Sequence, residues 1–275
     1  MKLFNCFILS TILIISCKKQ DSIPDAHFTS ANYYINDSLV GKTDYSYDDS
    51  SHLLLSETTH LYGNRFVRHF YAYFNDSIVA NELIFNGTDS IHNQITIFIT
   101  GNERLVMRIR IFNQDNLIIS SDRYYNYGLT NQLQHVDYFS GTQLFDFNYT
   151  INNISSYKLL FPRLLPPYGN DTIQVAANYT TFPYQAGINN FLLVNMFNLI
   201  SSEFQTMNLE LAGCTFNTAD NLMSSLTFLP TTLPDYTYQY TFDVNNRVST
   251  KTLDYVSPVE LPPNQLYKVV YIYSY

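Results

Sequence analysis

The adjacent carboxylates Asp48 and Asp49 have the residue type that glycosidic chemistry needs, one acid and one base or nucleophile flanking a sugar linkage. Their spacing argues against that use. Neighbours on a strand point to opposite faces, and neighbours in a turn are both solvated. His60 and His69 fall in adjacent expected strands and can approach across a hairpin, where a solvated or hydrogen-bonded pair is the ordinary outcome. The six His and six Glu of the chain form no His-Glu-x-x-His or His-x-His spacing, and the three Cys form no Cys-x-x-Cys. There is no Gly-x-Ser-x-Gly elbow and no glycine-rich phosphate loop, for which nine Gly leave little material. No catalytic residue, metal site or cofactor is therefore assigned, and the chain reads as a non-enzyme.

A different chemistry is legible at Cys17. It follows Ile14-Ile15-Ser16 and closes a short apolar run, Phe7 to Ile15, behind a charged Met1-Lys2 start. That run has the length of a signal-peptide core and falls short of the roughly 20 residues needed to span a bilayer. The stretch resembles the lipobox of bacterial lipoproteins. The resemblance implies that residues 1–16 are a signal peptide and that the Cys17 thiol and new amino terminus carry acyl chains, palmitate among them. Two or more chains are needed for a durable membrane hold. Residues 17–27, polar with one proline, then read as a lipidated tether, and the folded part is expected to begin near Phe28.

Removing residues 1–16 takes away Lys2 and no acid, leaving 259 residues with 14 basic and 23 acidic side chains, a formal charge of about −9. This argues against nucleic acid as a partner and against electrostatic attraction to anionic lipid heads. Cys6 leaves with the signal, so Cys214 has no intramolecular partner and is expected to be a small buried apolar side chain. The 24 Tyr and 20 Phe, beside no Trp, favour half-buried pleated surfaces.

The elements follow from periodicity. Tyr236, Tyr238, Tyr240, Phe242 and Val244 share one strand face while Thr237, Gln239, Thr241 and Asp243 share the other. Leu105, Met107, Ile109 and Ile111 make a similar stripe opposite Arg108 and Arg110. Tyr267, Val269, Tyr271, Tyr273 and Tyr275 make a third, with Val270 and Ile272 behind them, as in a strand covered on both faces. Prolines at 162, 166, 167 and 183 interrupt the pattern, and Ile188, Leu192, Met196, Leu199 and Ile200 then recur at helical spacing, predicting one helix over 189–202. The expected architecture is all-β: residues 28–275 as a twisted antiparallel meander of hairpins, with one short helix in an irregular Pro-rich insertion at about 162–235. A split near Pro162 is the alternative.

Three segments, Tyr45–Leu53, Tyr125–Leu133 and Tyr240–Val248, share a nine-residue frame, with a copy one residue shorter at Phe147–Ile154. Two aromatics two apart lie on one strand face, a polar tetrad turns the chain, and an aliphatic opens the return. The frame resembles the tyrosine-aspartate (YD) repeats of the Rhs type, and more closely those of YD-like envelope lipoproteins of unknown function from Bacteroidota. There the frame is Tyr-x-Tyr-Asp, two variable residues, Gly-Arg and an aliphatic. This chain keeps the aspartate at Asp48 and Asp243 and the arginine at Arg247, and lacks the glycine in every copy. The resemblance covers about residues 40–160 and 236–275 and implies fold and location, without an activity.

Asp followed by Ser or Thr and an aliphatic occurs five times, at Ser22, Ser38, Ser77, Ser90 and Thr172, where composition alone predicts about one. The tripeptide is ordinary turn chemistry. It also resembles the acceptor of the general O-glycosylation system of Bacteroidota, which makes these five hydroxyls glycosylation candidates. Lys18-Lys19-Gln20-Asp21 partly resembles the surface-export pattern of the same lineage. The resulting expectation is an outer-membrane-anchored envelope lipoprotein at the cell surface, a non-catalytic binding or structural display module attached through its lipid. A Tyr-rich face could hold a glycan or a small apolar ligand. A periplasmic carrier with an apolar β cup is the alternative, and a glycan hydrolase comes third.

Overall fold

In a computed structural model of the chain, the structure describes residues 27–61, 63–100, 104–138, 143–162, 170–186, 188, 208–216, 219–229, 235–257 and 265–275. Sixteen antiparallel strands close into a barrel in which every strand pairs with its neighbours in sequence. They are β1 (Ser30–Ile35), β2 (Ser38–Tyr47), β3 (Leu54–Leu61), β4 (Arg65–Tyr73), β5 (Ser77–Asn86), β6 (Ser90–Thr100), β7 (Leu105–Asn113), β8 (Ile118–Tyr127), β9 (Leu133–Tyr138), β10 (Gln143–Thr150), β11 (Asn153–Pro162), β12 (Asn170–Pro183), β13 (Asn221–Leu229), β14 (Tyr236–Phe242), β15 (Val248–Ser257) and β16 (Gln265–Ser274).

This corrects the expected twisted meander with a helix. Strand β1 pairs with β16 from Ser30↔Ser274 to Ile35↔Val269, so no edge is left open. Stripe patterns identify strands and their faces, but closure depends on pairing between the first and last strands, which no local pattern encodes. There is no helix among the described residues, and the predicted helix at 189–202 lies outside them. Strands β11 and β12 pair on either side of the Pro-rich break, and β12 and β13 both run within the 162–235 stretch.

The faces are sorted sharply. Inward side chains of all sixteen strands, among them Tyr33, Tyr71, Ile97, Tyr125, Phe145, Tyr157, Phe228 and Tyr271, join one continuous apolar core. Outward positions on β12, β14 and β15 are Gln174 and Asn178, then Thr237, Gln239 and Thr241, then Thr250, Thr252 and Asp254. A barrel of 16 to 18 strands ordinarily encloses an aqueous channel, and a membrane-spanning one turns an apolar band outward. Here the wall has the opposite polarity. The aromatic positions on the outer face of β4–β8 are interleaved with arginines: Arg68 lies over Phe66 and Phe70, and Arg108 over Phe98 and Tyr124.

The nine-residue frames are hairpin turns. Asp48 accepts hydrogen bonds from the backbone N–H of Ser50 and Ser51 at 3.1 and 2.7 Å, and Asp243 from those of Asn245 and Arg247 at 2.8 and 2.9 Å. Asn131 and Asn246, seventh in their frames, take φ values of 57° and 59°. Asn tolerates this left-handed region better than most residues, which accounts for turns that work without glycine at the seventh position.

A second device recurs beside these turns. Near the ends of six even-numbered strands a tyrosine hydroxyl donates to a backbone carbonyl at the start of the strand before it: Tyr47 to Phe28 just ahead of β1, Tyr73 to Leu54, Tyr127 to Val106, Tyr149 to Leu133, Tyr240 to Met223 and Tyr275 to Val248, at 2.7–3.1 Å. Together they form a tyrosine-capped rim. The same rim carries the entry into β1 and the β12–β13 connection.

Candidate functional site

The β12–β13 connection is where this barrel departs from a simple wall. Its described parts bury Gln185, Ile188, Asn208, Leu209, Leu211, Ala212, Cys214 and Phe216. Their apolar members join the barrel core, so these described parts act as a plug. Gln185 is held on both sides of its amide, donating to the Asn246 carbonyl at 2.9 Å and accepting from the Val248 N–H at 2.8 Å. Lys251, buried on β15, donates to the Ile188 carbonyl at 2.9 Å. Thr215 makes an isolated parallel bridge with Leu105, and the ring of Phe216 lies 5.6 Å from that of Tyr125. Gly213 sits at φ 77°, and a side chain there would meet the Arg104 guanidinium, whose Nε donates to the Gly213 carbonyl at 2.8 Å.

The plug meets a buried charge cluster on the inner wall. His69 Nδ1 lies 3.0 Å from Glu57 Oε1, and its Nε2 lies 2.9 Å from Glu82 Oε1. Glu57 also accepts from the Tyr71 hydroxyl at 2.7 Å and the Asn208 N–H at 3.1 Å, and Glu82 accepts from Asn93 at 2.6 Å. Burial by itself pushes the His69 imidazole down, but hydrogen bonds and charge attraction from both glutamates outweigh it and lift the group to about 9. The Glu82 carboxyl is pushed up by burial and pulled below its usual range by His69 and Asn93, with the pull prevailing. At neutral pH the His69 imidazolium sits between Glu57 and Glu82. Buried and internally satisfied, the cluster clamps plug to wall.

Two clefts open where the plug reaches the rim. One, of about 340 Å³, is lined by Tyr184, Ala186, Glu210, Gly213, Cys214, Thr215, Phe216 and Ala219. The other, of about 250 Å³, is lined by Thr130, Gln132, Asn152, Ala219 and Asp220. They share Ala219, and among the described residues each holds a single carboxylate. Burial pushes the Cys214 thiol up to about 12, so it is no nucleophile at neutral pH. The clefts can bind a small molecule through hydroxyl, amide and carboxylate groups, and among the described residues they show no nucleophile with a base beside it.

The sequence-derived candidates scatter. Cys17 and Ser22 lie outside the described residues. Ser38, Ser90 and Thr172 are exposed at or near strand starts on the rim opposite the tyrosines, while Ser77, half-buried at the start of β5 on the tyrosine rim, donates to Asp76 at 3.1 Å. His60 and His69 do not meet: His60 is exposed opposite Phe66 and His69 is buried opposite Glu57. Asp48 is spent on its own turn, and no group of three or more His, Cys, Asp or Glu able to hold a metal occurs among the described residues.

No family model matches the chain, and no curated protein matches it significantly. Solved structures do. The barrel is similar to a porin-like protein from Bacteroides uniformis. The TM-score is 0.53 at 14% identity, covering 91% of this chain and 98% of that one. A porin-like protein from Bacteroides vulgatus is also matched, with 8% identity, 90% and 98% coverage and a TM-score of 0.32. The first likeness is one of fold, and it agrees with the closed barrel rather than the open sheet.

Proposed function

We propose that this chain is a non-conducting, non-catalytic barrel of the bacterial envelope, held to the outer membrane through lipid on Cys17 and working as a binding or structural display module. The polarity of the wall carries the reading. Tyr, Phe, Ile and plug residues fill the inside, where a pore would hold water, and Thr, Gln and Asn occupy the outside of β12, β14 and β15, where a spanning barrel would meet acyl chains, while the outer aromatics of β4–β8 lie beneath arginines. A carboxamide-rich exterior resting in hydrocarbon would cost several kcal/mol for each unsatisfied group. The frame with its Asp48 and Asp243 turns supports placing the chain beside the YD-like lipoproteins of Bacteroidota. Ser38, Ser90 and Thr172 are accessible enough for O-glycosylation, which intact mass of native protein would register as sugar increments lost in the Ser38→Ala variant.

The test of the main reading uses the mature chain from residue 17 carrying Cys17→Ser. It is expected to remain soluble without detergent and to produce no conductance steps in planar bilayers. Stable single-channel currents, or solubility only in detergent, would overturn the proposal.

A further inference from the structure

Three frame copies place an apolar residue at their fifth position, the tip of the turn: Leu129, Ile151 and Val244. Leu129 is fully exposed, Ile151 is 86% exposed and Val244 99%. Turn tips favour Gly, Pro, Asn, Asp and Ser, and a fully exposed aliphatic contributes nothing to the core, so folding gives no reason for these residues. Single exposed apolar side chains are common on any protein surface. Three at one frame position, at the tips of separate hairpins on one rim, require another cause. Phe74 extends the set at the β4–β5 turn of the same rim, at 56% exposure. The far rim also exposes apolar residues, Leu117 at 75%, Leu39 at 55% and Ile91 and Leu229 at 44%, but these are less exposed than the three tips and share no frame position.

We infer that the tyrosine-capped rim rests on a lipid bilayer, with Leu129, Ile151, Val244 and Phe74 dipping into its interfacial layer. The occupant follows from where the chain enters the barrel. His27 and Phe28 lie on this rim, and Cys17 is ten residues upstream. Even fully extended, a tether of that length reaches only about 35 Å. This step rests on the lipid-anchor reading: an acylated Cys17 keeps the rim within that distance of the membrane, so its apolar tips meet lipid before any other partner. The contact is peripheral, because the polar wall above the tips stops deeper entry. Asp49 and Asp76 at neighbouring turns make the rim acidic, so zwitterionic vesicles are the right probe.

The experiment separates the tips from the anchor. The mature Cys17→Ser chain, which has no lipid, is sedimented with phosphatidylcholine vesicles. It is expected to pellet with them. The combined Leu129→Ser, Ile151→Ser and Val244→Ser variant should lose on the order of tenfold or more in partitioning. Leu117→Ser, on the far rim, should change nothing. Because the chain has no Trp, Leu129→Trp is a clean reporter whose emission should shift to the blue on vesicles, and Leu117→Trp should stay unshifted. A Cys17→Ser chain that stays in the supernatant, a triple variant that pellets like its parent, or an unshifted Leu129→Trp would each sink the inference. The anchor fails by a different result: native protein whose mass shows no acyl chains on Cys17.

Discussion

Two ion clusters occupy neighbouring stretches of the same wall and face opposite ways. On β3–β5, Glu57, His69 and Glu82 point inward with the core and are tied to the plug. On β7–β8, Arg108 and Arg110 converge on Asp122 at 2.6 and 3.3 Å, pointing outward. The acidic and basic groups are comparable; the difference is what surrounds them. The inner cluster is shielded from solvent, with His69 and Glu57 at 3% exposure and Glu82 at 13%, while the arginines of the outer one keep 23% and 35%. The inner cluster should therefore matter several-fold more to stability.

The largest expected effect is that of His69→Gln, which removes the cation that joins Glu57 and Glu82 in the core. A cost of about 3 to 5 kcal/mol in urea unfolding is expected at pH 7, as for a buried pair broken on one side. A change under about 1 kcal/mol would show that water reaches the inner cluster and that the contrast between the two faces is false. Glu57→Gln should cost nearly as much and should loosen the plug, raising amide exchange at Leu209 and Cys214 ahead of global unfolding.

Next in size is a pH effect. Folding raises the His69 pKa from an ordinary 6.5 to about 9, so its contribution is complete below about pH 6.5 and is lost as pH climbs to about 9. The loss is on the order of 3 kcal/mol. Folding lowers the Glu82 pKa, so its contribution is present above the ordinary carboxylate range and disappears as acid is added. Wild-type stability should therefore fall between pH 6.5 and 9, and the His69→Gln variant should be flat there. A variant with the wild-type slope would assign the titration to another group.

These inner residues show how much the sequence disclosed. His69 is in phase with Val67, Tyr71 and Tyr73 on an alternating stripe, a charge on an apolar face that period-two reading could have flagged. His60, on the adjacent strand, is out of phase with it. The stripe at 236–242 is inward as its alternation implies, with Val244 passing out into the turn. The stripe at 105–111 breaks because residue 107 is a bulge: Phe98 pairs with Arg108 and Ile99 with Val106, so Val106 and Ile109 face the core while Met107 is exposed. Strand β16 is paired on both edges, yet its second face, Val270 and Ile272, looks outward. The plug and its clefts were hidden because they depend on a long connection folding back into a closed barrel. Glu57 and Asn208 are 151 residues apart in the chain, and no local signal joins them.

Between the two extremes stand the neutral bonds of the tyrosine rim. Tyr149→Phe removes a hydroxyl that satisfies the Leu133 carbonyl at 2.7 Å and keeps the ring, so the expected loss is about 1 kcal/mol. If the six caps act independently, Tyr127→Phe should cost a similar amount, and the two should add. A cost for the pair well above the sum would mean that the rim is a cooperative ring. In that case the inner cluster would share its role in holding the barrel closed.

The smallest effect is expected outside. Asp122→Asn removes the carboxylate that both arginines share and leaves both guanidinium groups with solvent, Arg108 also with Tyr124 lying 4.8 Å beneath it. Asp122 is only 8% exposed, but both arginines reach solvent, and a pair open to water on one side contributes about 1 kcal/mol and is screened by salt. The Asp122 carboxyl is held below its usual range chiefly by the Arg108 hydrogen bonds, so even this small term should fade when acid protonates it, opposite in direction to the His69 slope. Raising salt from 0.05 to about 1 M should erase the difference between Asp122→Asn and wild type while leaving that of His69→Gln nearly intact, because screening acts on the solvated pair and not on the buried one. Equal salt sensitivity in both variants would mean that the inner face is wet, and the barrel would then be closer to a channel than its Tyr-filled interior allows.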